Sequence, residues 1–183
     1  MLDKFNYELE DLEGKPVKAS NIAEVYYHVK RHQILSKEVD CAGMEDRLMK
    51  HQGHLKAKDL FNIMSVMGRD ENSELVEWLV KQIEGMIASM IPEEVIILNT
   101  QLERHGLQAR VSPLVEAYIQ DCREEMETLE LAKVYMSCIK SKLELSEGFR
   151  RDMDDLLLVK KLPGCDAASL PFILPLLLDT KIE

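Results

Sequence analysis

The chain has 183 residues, of which 46% are apolar and 31% are charged, so it can form one folded core and is too apolar for a disordered chain. Its net charge of −10 repels phosphate and therefore disfavours nonspecific binding of nucleic acid. Aromatic residues make up only 5% of the chain, and glycines and prolines are few, a composition that favours helices over strands.

The first 21 residues are predicted to form an N-terminal extension. Residues 1–14 read MLDKFNYELEDLEG and show neither the apolar core of a signal peptide nor the arginine-rich character of an organellar presequence. No two of the four cysteines form a CxxC pair. We therefore expect neither a disulfide framework nor a cysteine zinc site, and we expect the chain to reside in a reducing compartment. A cytoplasmic location fits these features.

Two helix pairs are predicted in the first half of the chain. Ile22 begins the apolar face of the first helix, and Met44 lies on the apolar face of the second. Leu60 begins the face of a third helix, which is predicted to end near Gly68, and Leu79 lies on the face of a fourth. Each pair is separated from the next by a polar stretch.

Two further pairs follow, with stronger signals at the helix boundaries. Pro92 fits the first turn of a helix that ends at Gly106, and Ser112–Pro113 is typical of an N-cap followed by the first helical residue. Thr128 and Ser146 are predicted to cap the two helices of the fourth pair.

The apolar positions of these helices recur at a nearly constant step. The leading positions of the first helices lie 38, 35, 36 and 39 residues apart, and those of the second helices lie 35, 36 and 38 apart. They are Ile22, Leu60, Val95, Leu131 and Leu170, and Met44, Leu79, Val115 and Met153. Because both sets agree, the sequence predicts an all-α fold, a right-handed α-solenoid of about four two-helix repeats over residues 22–164.

Residues 165–183 are predicted to cap the array or to dock on a partner. The stretch LPFILPLLL is apolar on every side and contains Pro171 and Pro175, so a helix here is expected to start late or to be kinked. Repeat arrays need polar outer caps. This segment is therefore expected either to fold back over the last repeat or to be buried in a partner. The candidate partner-binding residues are Leu170, Phe172, Ile173, Leu174, Leu176 and Leu177.

Residues 60–126 combine amphipathic helices with polar turns. They read LFNIMSVMGRDENSELVEWLVKQIEGMIASMIPEEVIILNTQLERHGLQARVSPLVEAYIQDCREEM, with IM and LN in the first helices and LVEWL and LVEAYI opening the second helices. With its step near 36, the chain resembles the organellar helical-repeat proteins of the pentatricopeptide-like, heptatricopeptide and FAST-kinase types over about residues 22–160.

The resemblance implies a noncatalytic scaffold whose partners are protein subunits. Members of these families bind single-stranded RNA in organelles or serve as protein-binding subunits of mitochondrial assemblies. By resemblance, we expect a subunit of a complex in the mitochondrial matrix, such as ATP synthase or the mitochondrial ribosome. The alternative is an RNA-binding protein of organellar RNA processing or translation, for which Asn62 and Asn99 are the polar positions that match.

Four histidines near the N-terminus could in principle share a metal ion. His28 and His32 lie on one helix face, and His51 and His54 follow in the paired helix. A solvated basic face is favoured instead, because HxxxH is common by chance and the zincin glutamate is missing. The sequence contains no glycine-rich phosphate loop, no nucleophile elbow and no apolar stretch of membrane-spanning length. We therefore expect no metal, no cofactor and no enzymatic activity.

Overall fold

The computed structural model describes residues 19–32, 41–50, 55–68 and 73–179, and every regular element in these ranges is helical. This confirms the all-α prediction for the described part of the chain. The α-helices are, in chain order, α1 (Ala19–Arg31), α2 (Cys41–Lys50), α3 (Ala57–Val66), α4 (Ser73–Met86), α5 (Pro92–His105), α6 (Gln108–Cys122), α7 (Thr128–Lys140), α8 (Glu147–Asp154) and α9 (Leu170–Asp179). A π-helical segment, Asp155–Lys161, continues α8, and 3-10 turns span Ile87–Ser89 and Leu162–Gly164.

The chain divides into two compact units, Met1–Trp78 and Leu79–Glu183. The boundary falls within α4, inside the range that was expected to form one repeat domain. In the first unit, α1 packs against α2 and α3. In the second unit, α5 packs against α6 and α7, while α7 packs against α9. Within each unit, the first helix of a predicted pair is thus a neighbour of the first helix of the next pair.

The predicted apolar positions form the core of these helices. Eight of the nine leading residues are buried, and Leu170 is half-buried. The buried ones are Ile22, Leu60, Val95 and Leu131 in first helices, and Met44, Leu79, Val115 and Met153 in second helices. The helical period was therefore a sound guide to the buried face of each helix.

Three predicted helix boundaries are confirmed. Pro92 occupies the first turn of α5, and the carboxylate of Glu94 accepts a hydrogen bond from the Ile91 N–H at 3.1 Å. Gly106 ends α5 with a φ of 68°, a left-handed conformation that a residue without Cβ adopts at little cost. Ser146 is the N-cap of α8, where its Oγ accepts from the Phe149 N–H at 3.3 Å.

The predicted start of α6 at Ser112–Pro113 is wrong. The helix begins at Gln108, so Pro113 lies inside it. The Ser112 hydroxyl donates to the Gln108 carbonyl at 2.7 Å and accepts from the Glu144 N–H at 2.9 Å. The side chain that looked like a cap therefore bonds within its own helix and to a distant loop.

Of two other predicted boundaries, one is confirmed and one is shifted. The helix that was expected to end near Gly68 ends at Val66 with Met67 as an extended C-cap, so Gly68 occupies the predicted C′ position. Thr128 is the first helical residue of α7 rather than its cap, and Glu127 is the N-cap. This shift is one residue, because neighbouring residues in a first turn can satisfy the same terminal backbone groups.

Two tyrosines make equivalent hydrogen bonds in the two units. The Tyr26 hydroxyl in α1 donates to a Glu45 carboxylate oxygen in α2 at 2.8 Å. The Tyr135 hydroxyl in α7 donates to a carboxylate oxygen of Asp154 in α8 at 3.2 Å. Each pair spans 19 residues of sequence. The first and second helices of these two pairs are therefore linked in the same way.

Candidate partner-binding surface

The C-terminal helix α9 begins at Leu170, directly after a polar turn. The Ser169 N–H and Oγ–H both donate to Oδ1 of Asp166, at 2.9 and 2.7 Å. These hydrogen bonds hold the pKa of the Asp166 carboxyl below its usual value. Because Pro171 lies in the first turn, where an N–H has no helical acceptor, it does not delay the helix. The expected late start is therefore wrong.

The six candidate binding residues fall into different environments along α9. Ile173 and Leu176 are buried within the chain, where α9 packs against α7 and the π-helical segment. Leu174 is 47% exposed, and Leu170 and Phe172 are half-buried. The side chain of Leu177 lies outside the described residues. Of the five whose side chains the structure describes, Leu174 is the most exposed.

The π-helical segment adds an exposed residue that the sequence pattern did not identify. In an α-helix, Val159 would share a face with the buried Leu156, three residues earlier. The wider turn of a π-helix rotates later residues away from that face, and Val159 is 65% exposed. Because the segment packs against α9, Val159 and Leu174 lie on neighbouring elements. These two residues are called the apolar face below.

Phe172 is partly covered by a charged side chain of α7. The Lys133 ammonium lies 5.6 Å from the centre of the Phe172 ring, within the range of a cation–π interaction. The aliphatic part of a lysine can cover apolar surface while its charge stays in water. This contact links the outer surfaces of α7 and α9.

A groove opens between the start of α7 and the segment that leads into α9. It has a volume of about 420 Å³. Residues 126–129 form one wall, and residues between 161 and 169 form the other. They are Met126, Glu127, Thr128, Leu129, Lys161, Gly164, Cys165, Asp166 and Ser169. We call it the α7–α9 groove. No sequence pattern predicts this groove, because its two walls are about 35 residues apart and meet through the packing of α7 on α9.

Carboxylates outnumber cations at the groove and in the turn before it. Glu127 and Asp166 line the groove and are exposed. Lys161 is the cation that lines it, and its ammonium donates to the Met126 carbonyl at 3.3 Å. The turn preceding α7 adds Glu124 and Glu125. The negative charge of this end of the second unit is therefore only partly neutralised.

The buried hydroxyl of Tyr118 lies near other carboxylates, those at the starts of α5 and α7. It donates to the Met90 carbonyl at 3.0 Å. Burial and the neighbouring groups Cys122 and Glu130 raise the pKa of Tyr118 to about 12, with smaller contributions from the glutamates of α5. Carboxylates from the starts of α5 and α7 therefore both contribute to the raised pKa of this hydroxyl.

The histidine pair in the first unit does not form a metal site with other described residues. His28 and His32 are exposed, and their rings stack with centres 6.4 Å apart. His51 and His54 lie outside the described residues. Among the residues that the structure describes, no three His, Cys, Asp or Glu side chains are grouped so that they could hold a metal ion.

The two asparagines that matched an RNA-reading pattern are placed differently. Asn62 is half-buried in α3. Asn99 in α5 is 0% exposed, and its amide nitrogen donates to Ser137 Oγ at 2.8 Å and to Cys138 Sγ at 3.3 Å. A base edge in solvent cannot reach this side chain, so Asn99 has a structural role between α5 and α7.

Comparisons with known proteins give no family assignment. No family model, no curated protein and no solved structure matches the chain. Within the described ranges, none of the helices is both long enough and apolar enough to cross a membrane. The case for a function therefore depends on the surface of the second unit.

Proposed function

We propose that this chain is a noncatalytic helical-repeat subunit that binds another protein through the apolar face of its C-terminal unit. The observation that carries the proposal is the exposure of Val159 and Leu174, by 65% and 47%, on two elements that pack against each other. Apolar surface left exposed on packed helices is a feature of protein-binding sites. Burial in a partner would remove both from water.

The pattern of contacts supports a repeated architecture within each unit. Ser20 in α1 donates to Asp59 in α3 at 2.7 Å, across 39 residues, and Asn99 in α5 donates to Ser137 in α7 across 38 residues. Both bonds join first helices of successive pairs. The tyrosine–carboxylate bonds add a second equivalent link, between the helices of one pair. A solenoid of such pairs would present an extended surface without needing a catalytic site.

The proposed setting is a larger mitochondrial assembly, such as ATP synthase or the mitochondrial ribosome. This part of the proposal stands on the resemblance of the repeat pattern to organellar repeat proteins. Cell fractionation of the tagged chain tests the compartment, and recovery with mitochondrial matrix markers is the expected result. Recovery in the cytosol would move the proposed assembly to that compartment.

The partner-binding proposal is tested with variants of the apolar face. A tagged full-length chain is isolated from its own cells with its partners, which are identified by mass spectrometry. The double substitution Val159→Glu with Leu174→Glu should lose the partners recovered with the wild type, because burying two carboxylates unpaired is costly. Ile97→Glu in α5 is the matched control, since Ile97 is also 46% exposed.

Two readouts make this experiment decisive. Circular dichroism and thermal unfolding must show that the double variant folds as the wild type does. Loss of the partners by the folded double variant, with retention by Ile97→Glu, supports the proposal. Retention of the same partners by the double variant would refute it.

The alternative is an RNA-binding repeat protein, and a titration distinguishes it. Phosphate binding releases counterions, so RNA retention on a filter should fall steeply as salt is added. The net charge of −10 and the internal hydrogen bonds of Asn99 both disfavour this alternative. If single-stranded RNA is retained at submillimolar protein and the retention falls with salt, RNA binding would replace protein binding as the proposed function.

A further inference from the structure

The α7–α9 groove and the apolar face involve the same part of the second unit, the π-helical segment and the residues that follow it. Lys161 lines the groove and lies two residues after Val159 in the π-helical segment. Ser169 lines it on the other side, immediately before the helix that carries Leu174. The two features therefore belong to the same elements, and one partner chain could contact both.

We propose that the α7–α9 groove binds a basic segment of the partner protein, one that carries lysine or arginine side chains between apolar residues. This inference rests on the proposed function, and it specifies the chemistry of the partner. Its argument comes from the charges at the rim of the groove and from the apolar surface at its base.

The rim carboxylates can accept additional hydrogen bonds. Asp166 uses Oδ1 to accept from Ser169, while the exposed Glu127 donates its N–H to Oε2 of Glu130 at 3.2 Å. An ionised carboxylate has about four lone-pair sites on two oxygens, so each of these residues keeps acceptor capacity. Guanidinium and ammonium groups are the donors that fit such acceptors best.

Two of the nearby cations, Lys161 and Arg123, already have partners. Lys161 donates to the Met126 carbonyl. Nε of Arg123 lies 3.9 Å from Oε1 of Glu124, and its Nη1 lies 4.0 Å from Oδ2 of Asp152. Glu125 adds a further exposed carboxylate in the same turn. A ligand with positive charge is therefore attracted to this end of the unit, whereas a phosphate or an acidic peptide is repelled.

The base of the groove suits the aliphatic part of a basic side chain. Met126 is buried, Leu129 is half-buried, and Cys165 is half-buried with its thiol unpaired. Lysine and arginine pack their methylene groups on such surfaces while their charged ends reach polar groups at the rim. A volume of about 420 Å³ accommodates a few side chains rather than a whole helix.

The proposal is tested with peptide pools and the full-length chain. Fluorescein-labelled short peptides of mixed Lys, Arg, Leu and Ala form the basic pool, and peptides of mixed Asp, Glu, Leu and Ala form the acidic pool. Fluorescence anisotropy should show at least about tenfold tighter binding of the basic pool, and this preference should fall as salt is added. Amide shifts in NMR spectra should map to the turns before α7 and α9.

Charge-neutral variants that keep the local hydrogen bonds test the groove itself. Glu127→Gln with Asp166→Asn retains an acceptor oxygen at each position and should weaken binding of the basic pool by about tenfold. The matched control is Glu84→Gln with Glu144→Gln, two exposed carboxylates that do not line the groove. The control should bind within about twofold of the wild type.

Three outcomes would overturn the inference. They are equal binding of both pools, preferential binding of the acidic pool or of single-stranded RNA, and unchanged binding by the groove variant. The proposed function has a separate test, because Val159→Glu with Leu174→Glu is scored on the native partner. If native partners are retained by the groove variant and lost by the apolar-face variant, only the inference about the basic segment fails.

Discussion

At the scale of single residues, Asn99 shows how burial decides the role of a polar side chain. Its position in the repeat pattern matched an RNA-reading residue, yet its amide joins α5 to Ser137 and Cys138 of α7. Burial raises the pKa of the Cys138 thiol to about 12, so the thiol remains protonated at neutral pH. The group of three side chains is therefore neutral and structural.

Replacing Asn99 should destabilise the second unit. Asn99→Ala removes a buried hydrogen bond to Ser137 and leaves a small cavity, so we expect the free energy of unfolding to fall by about 2–3 kcal/mol. Urea unfolding followed by circular dichroism measures it. Thr100→Ala, at an exposed neighbouring position, should change the value by less than about 0.5 kcal/mol. Equal effects of the two substitutions would contradict the structural role.

At the scale of elements, the start of α8 is held by its own cap and by a second helix. The Ser146 Oγ accepts from the Phe149 N–H, and its hydroxyl donates to a carboxylate oxygen of Glu116 in α6 at 3.0 Å. The Ser146 N–H also donates to Glu116. The Glu116 carboxylate of α6 therefore holds both the N–H and the hydroxyl of the residue that caps α8.

Removing this cap should have a measurable cost. Ser146→Ala loses the capping bond and the hydroxyl bond to Glu116, so we expect a destabilisation of about 1–2 kcal/mol in thermal or urea unfolding. Ser89→Ala removes an exposed serine hydroxyl whose bond is to the local Met86 carbonyl, and it serves as the control with an effect below about 0.5 kcal/mol. A Ser146→Ala chain as stable as the control would show that the cap contributes little.

Local signals predicted the elements well, and non-local contacts explain most of the errors. Pro92, Gly106 and Ser146 act through neighbouring backbone groups, so their sequence context was sufficient. Ser112 was misread because its second partner, the Glu144 N–H, lies 32 residues away. Val159 was missed because the apolar pattern assumes α-helical turns, whereas residues 155–161 form a π-helix.

At the scale of the whole molecule, the C-terminal segment contributes both to the core and to the surface. The sequence left two alternatives for it, folding back on the last repeat or burial in a partner. Ile173 and Leu176 pack within the second unit, while Leu174 faces solvent. Period alone could not separate these residues, because the segment is apolar on every side. The packing of α9 against α7 and the π-helical segment decides which side chains of α9 are buried.

Adjacent residues of α9 allow the two roles to be tested separately. Ile173→Ala removes a side chain that is 0% exposed, and we expect the second unit to lose about 2–4 kcal/mol of stability. Leu174→Ala, the matched control one residue later, should change stability by less than about 1 kcal/mol because 47% of that side chain is already exposed. Thermal unfolding of the full chain gives the comparison.

Hydrogen exchange identifies which helices are destabilised by Ile173→Ala. Because α9 packs against α7 and the π-helical segment, Ile173→Ala should speed amide exchange in α7 and in residues 155–161. The amides of α1 and α3 belong to the other compact unit and should keep their wild-type exchange rates. Faster exchange in α1 and α3 as well would show that the two units unfold together. An equal loss of protection for Leu174→Ala would instead mean that Leu174 belongs to the core and cannot be the binding residue proposed for the apolar face.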